Sequence, residues 1–510
     1  MRLKKAFEKI DGVVFWTSLI TCAAIVVPLL LSRELGTILV NTTFAFITQN
    51  FGWAYMITVA ICFIFAFWVS AGKRGKVVLG VPGEKPDYGY FSWASMLFTA
   101  GVGTGIIVLG FLESIYYLET PPFHIEPFST EAYEFAHMYG QFHWGLSAWA
   151  VYSPAVVAVA YTLFVLKKPF LRMSTACEPV LKGQTHKLPG KLIDVLVMFG
   201  ILASMGTSMG LGAPVLATFI SNVFNLPNTF FLRIVILIIL LCIFGTSVFL
   251  GLDKGIRNLS NFNIVLAIVF VALIFILGPT VQILKMQVNS TGLYLQNFFH
   301  MSFWMDPFGD GQFTENWTVF YWGWWIAFMP IMSLFVARIS RGRTIREMVW
   351  GLILWGTLGC WVCFGVFGGY SLYLQQNGIV DLAYILQNYG QDMAILAIIQ
   401  TLPFSGIFQI FLSILCFVFI STTIDSAAYV LASICTKKLS GSEEPARWNR
   451  LVWAVMFLFL SISLIYIGGL RTVQTISIVG SVLLIGVLFI VILSVYRMLE
   501  KSDPEKEEMI

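Results

Sequence analysis

Residues 316–347 read NWTVFYWGWWIAFMPIMSLFVARISRGRTIRE. From Trp317 to Ala337 no side chain is charged, and then Arg338, Arg341, Arg343 and Arg346 arrive in quick succession. A helix needs about 20 apolar residues to cross the hydrocarbon core of a bilayer. Basic residues concentrate on the side where such a span stops. The same stretch crowds Tyr321, Trp322, Trp324 and Trp325 into five consecutive positions. Tryptophan often marks the water–lipid interface. Two readings therefore stand open: an interfacial belt, or the walls of a binding site.

The rest of the chain repeats the pattern. Its 510 residues are 58% hydrophobic and 11% charged, with a mean hydropathy of +0.83. A soluble globular domain carries about 25% charge. The expectation is an all-α polytopic membrane protein. The length rule gives about twelve spans, near 12–31, 51–70, 91–118, 137–165, 193–222, 229–251, 259–282, 317–337, 345–374, 403–435, 448–468 and 470–496. Residues 286–305 are too mixed to span and read as an interfacial helix. With the N-terminus inside, 27 of the 31 Lys and Arg residues fall on the cytoplasmic side, leaving Arg33, Arg233, Lys285 and Arg471 outside. That asymmetry predicts cytoplasmic N- and C-termini in a cell inner (plasma) membrane.

Several function classes drop out. A net charge of +4 gives no reason to expect nucleic acid. The first span has no small-residue cleavage site after it and reads as a retained helix. Cys360 and Cys363 have redox or zinc spacing, but no second pair or His cluster accompanies them, so they read as packing. The five histidines (His124, His137, His143, His186 and His300) are dispersed. No enzyme and no cofactor are expected.

Two spans contain sequence that a helix disfavours. AGVGTG places Gly101, Gly103 and Gly105 at alternate positions, each costing about 1 kcal/mol of helix propensity against alanine. Close helix packing is one explanation. The other is an unwound stretch whose backbone meets a ligand or ion. FISTTIDSAAYVLAS puts Asp425 inside a span, where a charge costs about 3 kcal/mol or more. Ser421, Thr422, Thr423 and Ser426 surround it with hard oxygen atoms. Glu113 raises the same question nearer the outer interface. In FHWGLSAWAVY, Trp149 and Tyr152 share a helix face, with Trp144 within reach. Converging indole faces without an acidic partner suit a quaternary ammonium ion, each contact contributing roughly 0.5–2 kcal/mol when desolvated. If the ligand is a zwitterion, exposed amides at the glycine break could meet its carboxylate.

Over nearly its whole length the sequence resembles the betaine/carnitine/choline transporter family. The resemblance rests on 316–347, FHWGLSAWAVY (142–152), GTSMGLGAP (206–214) and STTIDSAAYVLA (421–432). TPPF (120–123), EPFST (126–130) and FHWG are most similar to the carnitine/γ-butyrobetaine exchanger branch. The resemblance implies a LeuT-type core of two inverted five-helix repeats. Residues 1–90 would hold the N-terminal tail and two peripheral spans, 91–285 the first repeat, 286–316 a linker helix, 317–498 the second repeat, and 499–510 a short acidic tail. A homotrimer is implied. So is an aromatic box of Tyr116, Trp144, Trp149, Tyr152, Trp324 and Trp325, with Met332 where exchangers contact the carboxylate.

The resemblance has departures. Where the exchanger branch places an arginine in span 7, this chain has Asn263. Phe419, Thr422, Thr423 and Asp425 follow the sodium-dependent pattern instead. The implied sodium ligands are Thr422, Thr423 and the carbonyls of Thr99 and Val102. Gly105 stands where proton-coupled choline members carry aspartate. The short acidic tail differs from the long basic tail of osmosensing members, which implies nutritional uptake or exchange. The expected function is alternating-access, sodium-coupled uptake of trimethylammonium zwitterions such as carnitine, γ-butyrobetaine or glycine betaine. Sodium-independent substrate/product antiport and a ligand-gated channel or receptor remain the alternatives.

Overall fold

The computed structural model describes residues 9–81, 83–101, 103–168, 172–250, 253–437 and 444–500. Among these residues the secondary structure is helical, with only two isolated β-bridges. In a bilayer a helix is one of the few ways a chain can satisfy every backbone N–H and C=O internally. Among the described residues, nine helices are long and apolar enough to cross a membrane on their own. The expected third span is split. The sixth and seventh flank the undescribed residues 251 and 252. Helical segments thus stand at all twelve expected positions.

The first two spans are α1 (Gly12–Leu31) and α2 (Arg33–Ser70), capped by Asp11 and Ser32. The second is longer than its 51–70 apolar run. At 38 residues it is about 57 Å long. The polar residues from Arg33 to Asn50 extend the helix at one end rather than forming a loop. The third span is α3 (Tyr90–Gly101) followed by α4 (Gly105–Glu119). The fourth runs from Thr130 to Val165 with interruptions: α5 (Thr130–His143), then α6 (Leu146–Ala150), α7 (Ser153–Ala160) and a π-helical turn at Tyr161–Val165.

At the centre lie α8 (Leu188–Phe224) and α12 (Val319–Ile339), which pack on each other and on α18 (Leu470–Glu500). Between them come α9 (Phe230–Leu250), α10 (Asp253–Leu277) and α11 (Thr280–Phe303). The described part of α10 and α11 meet at 109°. Leu284, Val288, Leu295 and Phe299 are exposed on α11. That sharp turn and amphipathic face fit a helix lying along the interface. The remaining spans are α13 (Ile345–Gln376), α16 (Ser405–Ile434) and α17 (Arg447–Ile467), with short α14 (Leu382–Tyr389) and α15 (Gln391–Gln400) between the first two. The Thr344–Glu347 capping box starts α13 where the basic loop ends.

The aromatic stretch of α12 is inside the bundle. Every residue from Val319 to Leu334 is buried, and Trp322 is 1% exposed. The belt reading therefore fails for FYWGWW. Trp322 packs edge-on against Phe142 and His143.

Candidate functional site

The glycine break sits against both the aromatic stretch of α12 and the hydroxyl-rich part of α16. The helix ends at Gly101 and resumes at Gly105. A Cβ on Gly105 would lie 2.5 Å from Cη2 of Trp324, so only glycine lets the backbone come this close to the indole. A Cβ on Gly103 would lie 3.8 Å from Oγ1 of Thr423. Between them, Thr104 donates its hydroxyl to the Ser208 carbonyl at 2.9 Å and packs on Gly212. Val102 lies outside the described residues, as do the side chains of Thr99 and Gly101.

Five of the six expected box residues come together. The Trp144 ring stands edge-on to Trp324 at 5.6 Å and to Trp325 at 5.4 Å between centroids. Trp325 is also 5.4 Å from both Trp149 and Tyr152. These spacings lie in the range where aromatic pairs attract. Gly103, Trp144, Tyr152, Ser208, Trp324, Trp325 and Phe328 enclose a cavity of about 20 Å³. That is room for about one water molecule. Tyr116 stands apart: its ring is half-buried against Trp317 at 5.1 Å and does not line this cavity. Met332 is fully buried on α12 and does not line it either.

The local breaks in the fourth span place these rings. Trp144 caps α5, and Gly145 follows in an extended conformation. A Cβ there would lie 2.5 Å from the Gln141 carbonyl oxygen. Trp149 in turn lies flat on α13, where a Cβ on Gly356 would be 2.2 Å from the indole. Glycine propensity alone marks neither role, because both depend on which ring faces the backbone.

An acid stands behind the box, contrary to the expectation of indoles without an acidic partner. Glu113 is fully buried on α4. Its Oε2 accepts from Trp144 Nε1 at 3.1 Å and from the Tyr321 hydroxyl at 2.5 Å, and its Oε1 accepts from Tyr117. The Tyr117 oxygen also lies 2.7 Å from His143 Nδ1, and His143 Nε2 lies 3.0 Å from Thr318 Oγ1. Trp325 Nε1 donates to the His143 carbonyl at 3.0 Å. Two box walls are therefore held by one polar network. Trp324 Nε1, by contrast, is buried without an acceptor. The sequence marks Glu113 as an acid within a span, nearer the outer interface; the pairing with Trp144, 31 positions away, becomes visible only once α4 and α5 pack together.

At the expected ion site, Thr423 Oγ1 donates to the Phe419 carbonyl at 2.6 Å, and Thr422 Oγ1 donates to the Val418 carbonyl at 2.9 Å. A hydroxyl that spends its proton this way keeps oxygen lone pairs for a cation. Asn263 is buried, and its Oδ1 has no hydrogen-bond partner. Asp425 has a basic partner that its neighbours in the sequence do not reveal. Its Oδ1 accepts from Arg450 Nη2 of α17 at 2.8 Å, so an arginine compensates the buried carboxylate. Arg450 lies within the first turn of α17.

Relatives show the same kinship over most of the chain. A carnitine transporter of Acinetobacter baumannii is 35% identical over 432 residues, covering 84% of this chain and 78% of that protein. The glycine betaine transporter OpuD of Bacillus subtilis is 34% identical over 497 residues, covering 96% and 95%. An uncharacterized transporter of Escherichia coli, YeaV, is 34% identical over 429 residues, covering 84% and 88%. Residues 13–504 match the family described as betaine/carnitine/choline family transporter. The chain belongs to this family: it is a multi-pass, all-α membrane transporter of LeuT-type fold, and not an enzyme.

Proposed function

We propose that this protein carries trimethylammonium zwitterions across the plasma membrane by alternating access, with carnitine, γ-butyrobetaine and glycine betaine as candidate substrates. The observation that carries the reading is the closed group of Trp144, Trp149, Tyr152, Trp324 and Trp325 beside the glycine break. Their faces suit a cation that cannot donate hydrogen bonds. The unpaired Trp324 N–H and the amides around Gly103 and Gly105 are donors for the carboxylate. Tyr116 and Met332, which do not line this cavity, are proposed as further substrate contacts, Met332 with the carboxylate. With room for one water, the cavity must open to admit a ligand, which favours a carrier over a channel.

The proposed architecture has residues 91–285 and 317–498 as the two inverted repeats, joined through 286–316. Both termini are cytoplasmic, and the assembly is a homotrimer. Sodium is the proposed coupling ion. The Thr422 and Thr423 hydroxyls, the Thr99 and Val102 carbonyls and the segment at Phe419 would hold it, with Asp425 supporting from its pair with Arg450. The free Asn263 Oδ1 is a further buried oxygen fit for a cation. Sodium would raise affinity by populating the outward-open state.

The test is uptake of the labelled compounds into proteoliposomes, with and without a sodium gradient and with internal substrate. Sodium-driven uptake is expected, and Thr423→Ala should weaken its sodium dependence. Uptake that needs internal substrate and ignores sodium would establish antiport instead, the mode that Met332 favours.

A further inference from the structure

Glu113 is a buried carboxylate with no fixed cation. Among the described residues its ion-pair neighbour is His143, whose Nδ1 lies 3.5 Å from Oε1, and no lysine or arginine comes within that range. By contrast, the buried acids Asp194, Asp392 and Asp425 each meet an arginine, at Arg172, Arg233 and Arg450. A buried charge is costly unless something compensates it. The elements around Glu113 bring no other cation among the described residues. α5 presents Tyr139 and His143, α12 presents Tyr321, and α13 presents the Cys360 thiol. α8 has no ionisable side chain beyond Asp194. Asp392 of α15 is taken up by Arg233, and Glu119, further along α4, accepts from Gln387 of α14.

The hydrogen bonds from Glu113 form a chain with two complete arrangements. The Tyr117 oxygen bonds Glu113 Oε1 on one side and lies 2.7 Å from His143 Nδ1 on the other, and His143 Nε2 lies 3.0 Å from Thr318 Oγ1. In the first arrangement Nδ1–H donates to Tyr117, Tyr117 donates to a charged Glu113, and Nε2 accepts from Thr318. In the second, Glu113 Oε1–H donates to Tyr117, Tyr117 donates to Nδ1, and Nε2–H donates to Thr318. Trp144 and Tyr321 donate to Oε2 in both. The second arrangement holds one more proton, and no heavy atom has to move to reach it. A proton joins Nε2, that of Nδ1 passes to Tyr117, and that of Tyr117 passes to Glu113. Thr318 closes a π-helical turn, Thr314–Thr318, at the start of α12; such turns recur at functional sites. The same carboxylate stands one indole away from the aromatic cavity, because Trp144 bonds it through Nε1 and lines the cavity with its ring. A cation over that ring sits within about 6 Å of its centroid. A buried opposite charge at such range attracts it strongly.

We propose that Glu113, Tyr117 and His143 form a proton site linked to the substrate: the empty box holds a proton on Glu113, and an arriving trimethylammonium group displaces it by supplying the positive charge. The inference rests on the aromatic box being the substrate site. The proton leaves by the reverse relay, from Glu113 to Tyr117, from Tyr117 to His143 Nδ1, and from Nε2 by way of Thr318. One proton is released for each cation bound, so binding tightens as pH rises.

Glycine betaine and carnitine test it, because their carboxylates are already ionised at neutral pH and bring no proton of their own. Purified wild-type protein in weak buffer should release about one proton per bound ligand, read with a pH-indicator dye, and its Kd from tryptophan fluorescence should fall by up to about tenfold per pH unit across the neutral range. Glu113→Gln should lose both the release and the pH dependence while binding stays measurable. Ligand binding by the wild-type protein with no proton released and a pH-independent Kd overturns the proton site and leaves the transport reading intact. Release that persists in Glu113→Gln places the proton on another group and overturns the site equally. If the wild-type protein binds neither compound, the transport reading falls and the proton site falls with it.

Discussion

Glu113 gives the sharpest test of how the box is held. Its carboxylate accepts from Trp144 Nε1, Tyr321 Oη and Tyr117 Oη in a fully buried setting. Glu113→Ala removes the acceptor from all three. Tyr117 keeps His143 as an alternative partner, which leaves two donors orphaned. Each buried orphan costs about 1–3 kcal/mol, so destabilisation of about 2–6 kcal/mol is expected. The indole of Trp144 would also lose the anchor that keeps it edge-on to Trp324 and Trp325. Loss of one aligned cation–π face, about 0.5–2 kcal/mol, weakens binding by about 2- to 30-fold. Glu113→Gln keeps one acceptor oxygen and should fall between wild type and alanine on both measures. Thermal unfolding of purified protein and ligand titration by tryptophan fluorescence read the two effects separately. A Glu113→Ala variant with wild-type melting and wild-type Kd would refute the claim that this carboxylate positions the box.

Trp325 touches Trp144, Trp149 and Tyr152 at once. Trp325→Ala should therefore abolish measurable binding of carnitine or glycine betaine in equilibrium titration, and full retained affinity would remove this residue from the site. Gly105→Ala places a methyl 2.5 Å from the Trp324 ring. The indole must move by about 1 Å, an overpacking cost of about 1–3 kcal/mol, so Kd should rise while secondary structure by circular dichroism stays native. Asp425→Ala leaves Arg450 buried without its main counter-charge; a loss of about 3–5 kcal/mol in unfolding stability is expected. An Asp425→Ala variant of wild-type stability would show that the ion pair is not what holds α16 to α17.

Much of the fold is legible in the sequence. Apolar runs near the bilayer length placed the spans, because a membrane helix must be long enough and uncharged enough wherever it packs. Polar flanks were harder. Arg33–Asn50 looks like a loop by hydropathy, yet it continues α2. The glycine break announced itself through local propensity, and the structure ends and restarts the helix around it. The interruptions at Trp144–Gly145 and at Val151–Tyr152 carry weaker signals, a lone Gly145 and Pro154 in the first turn of α7. They arise where α5, α6 and α7 must turn to lay Trp144, Trp149 and Tyr152 beside Trp325 and Gly356.

By itself the sequence determined that the chain lives in a bilayer, where the spans fall, and which residue types could receive a quaternary ammonium ion. Those properties follow from length, charge and local propensity, each a function of neighbours in the chain. Only the tertiary structure decided that Trp322 packs while Trp324 and Trp325 face a cavity, that Glu113 anchors Trp144, and that Arg450 compensates Asp425. These last assignments depend on distances between side chains tens to hundreds of positions apart. A buried carboxylate has the same letter whether its partner is an ion, an indole or a guanidinium; the packing of α4 on α5 and of α16 on α17 selects which.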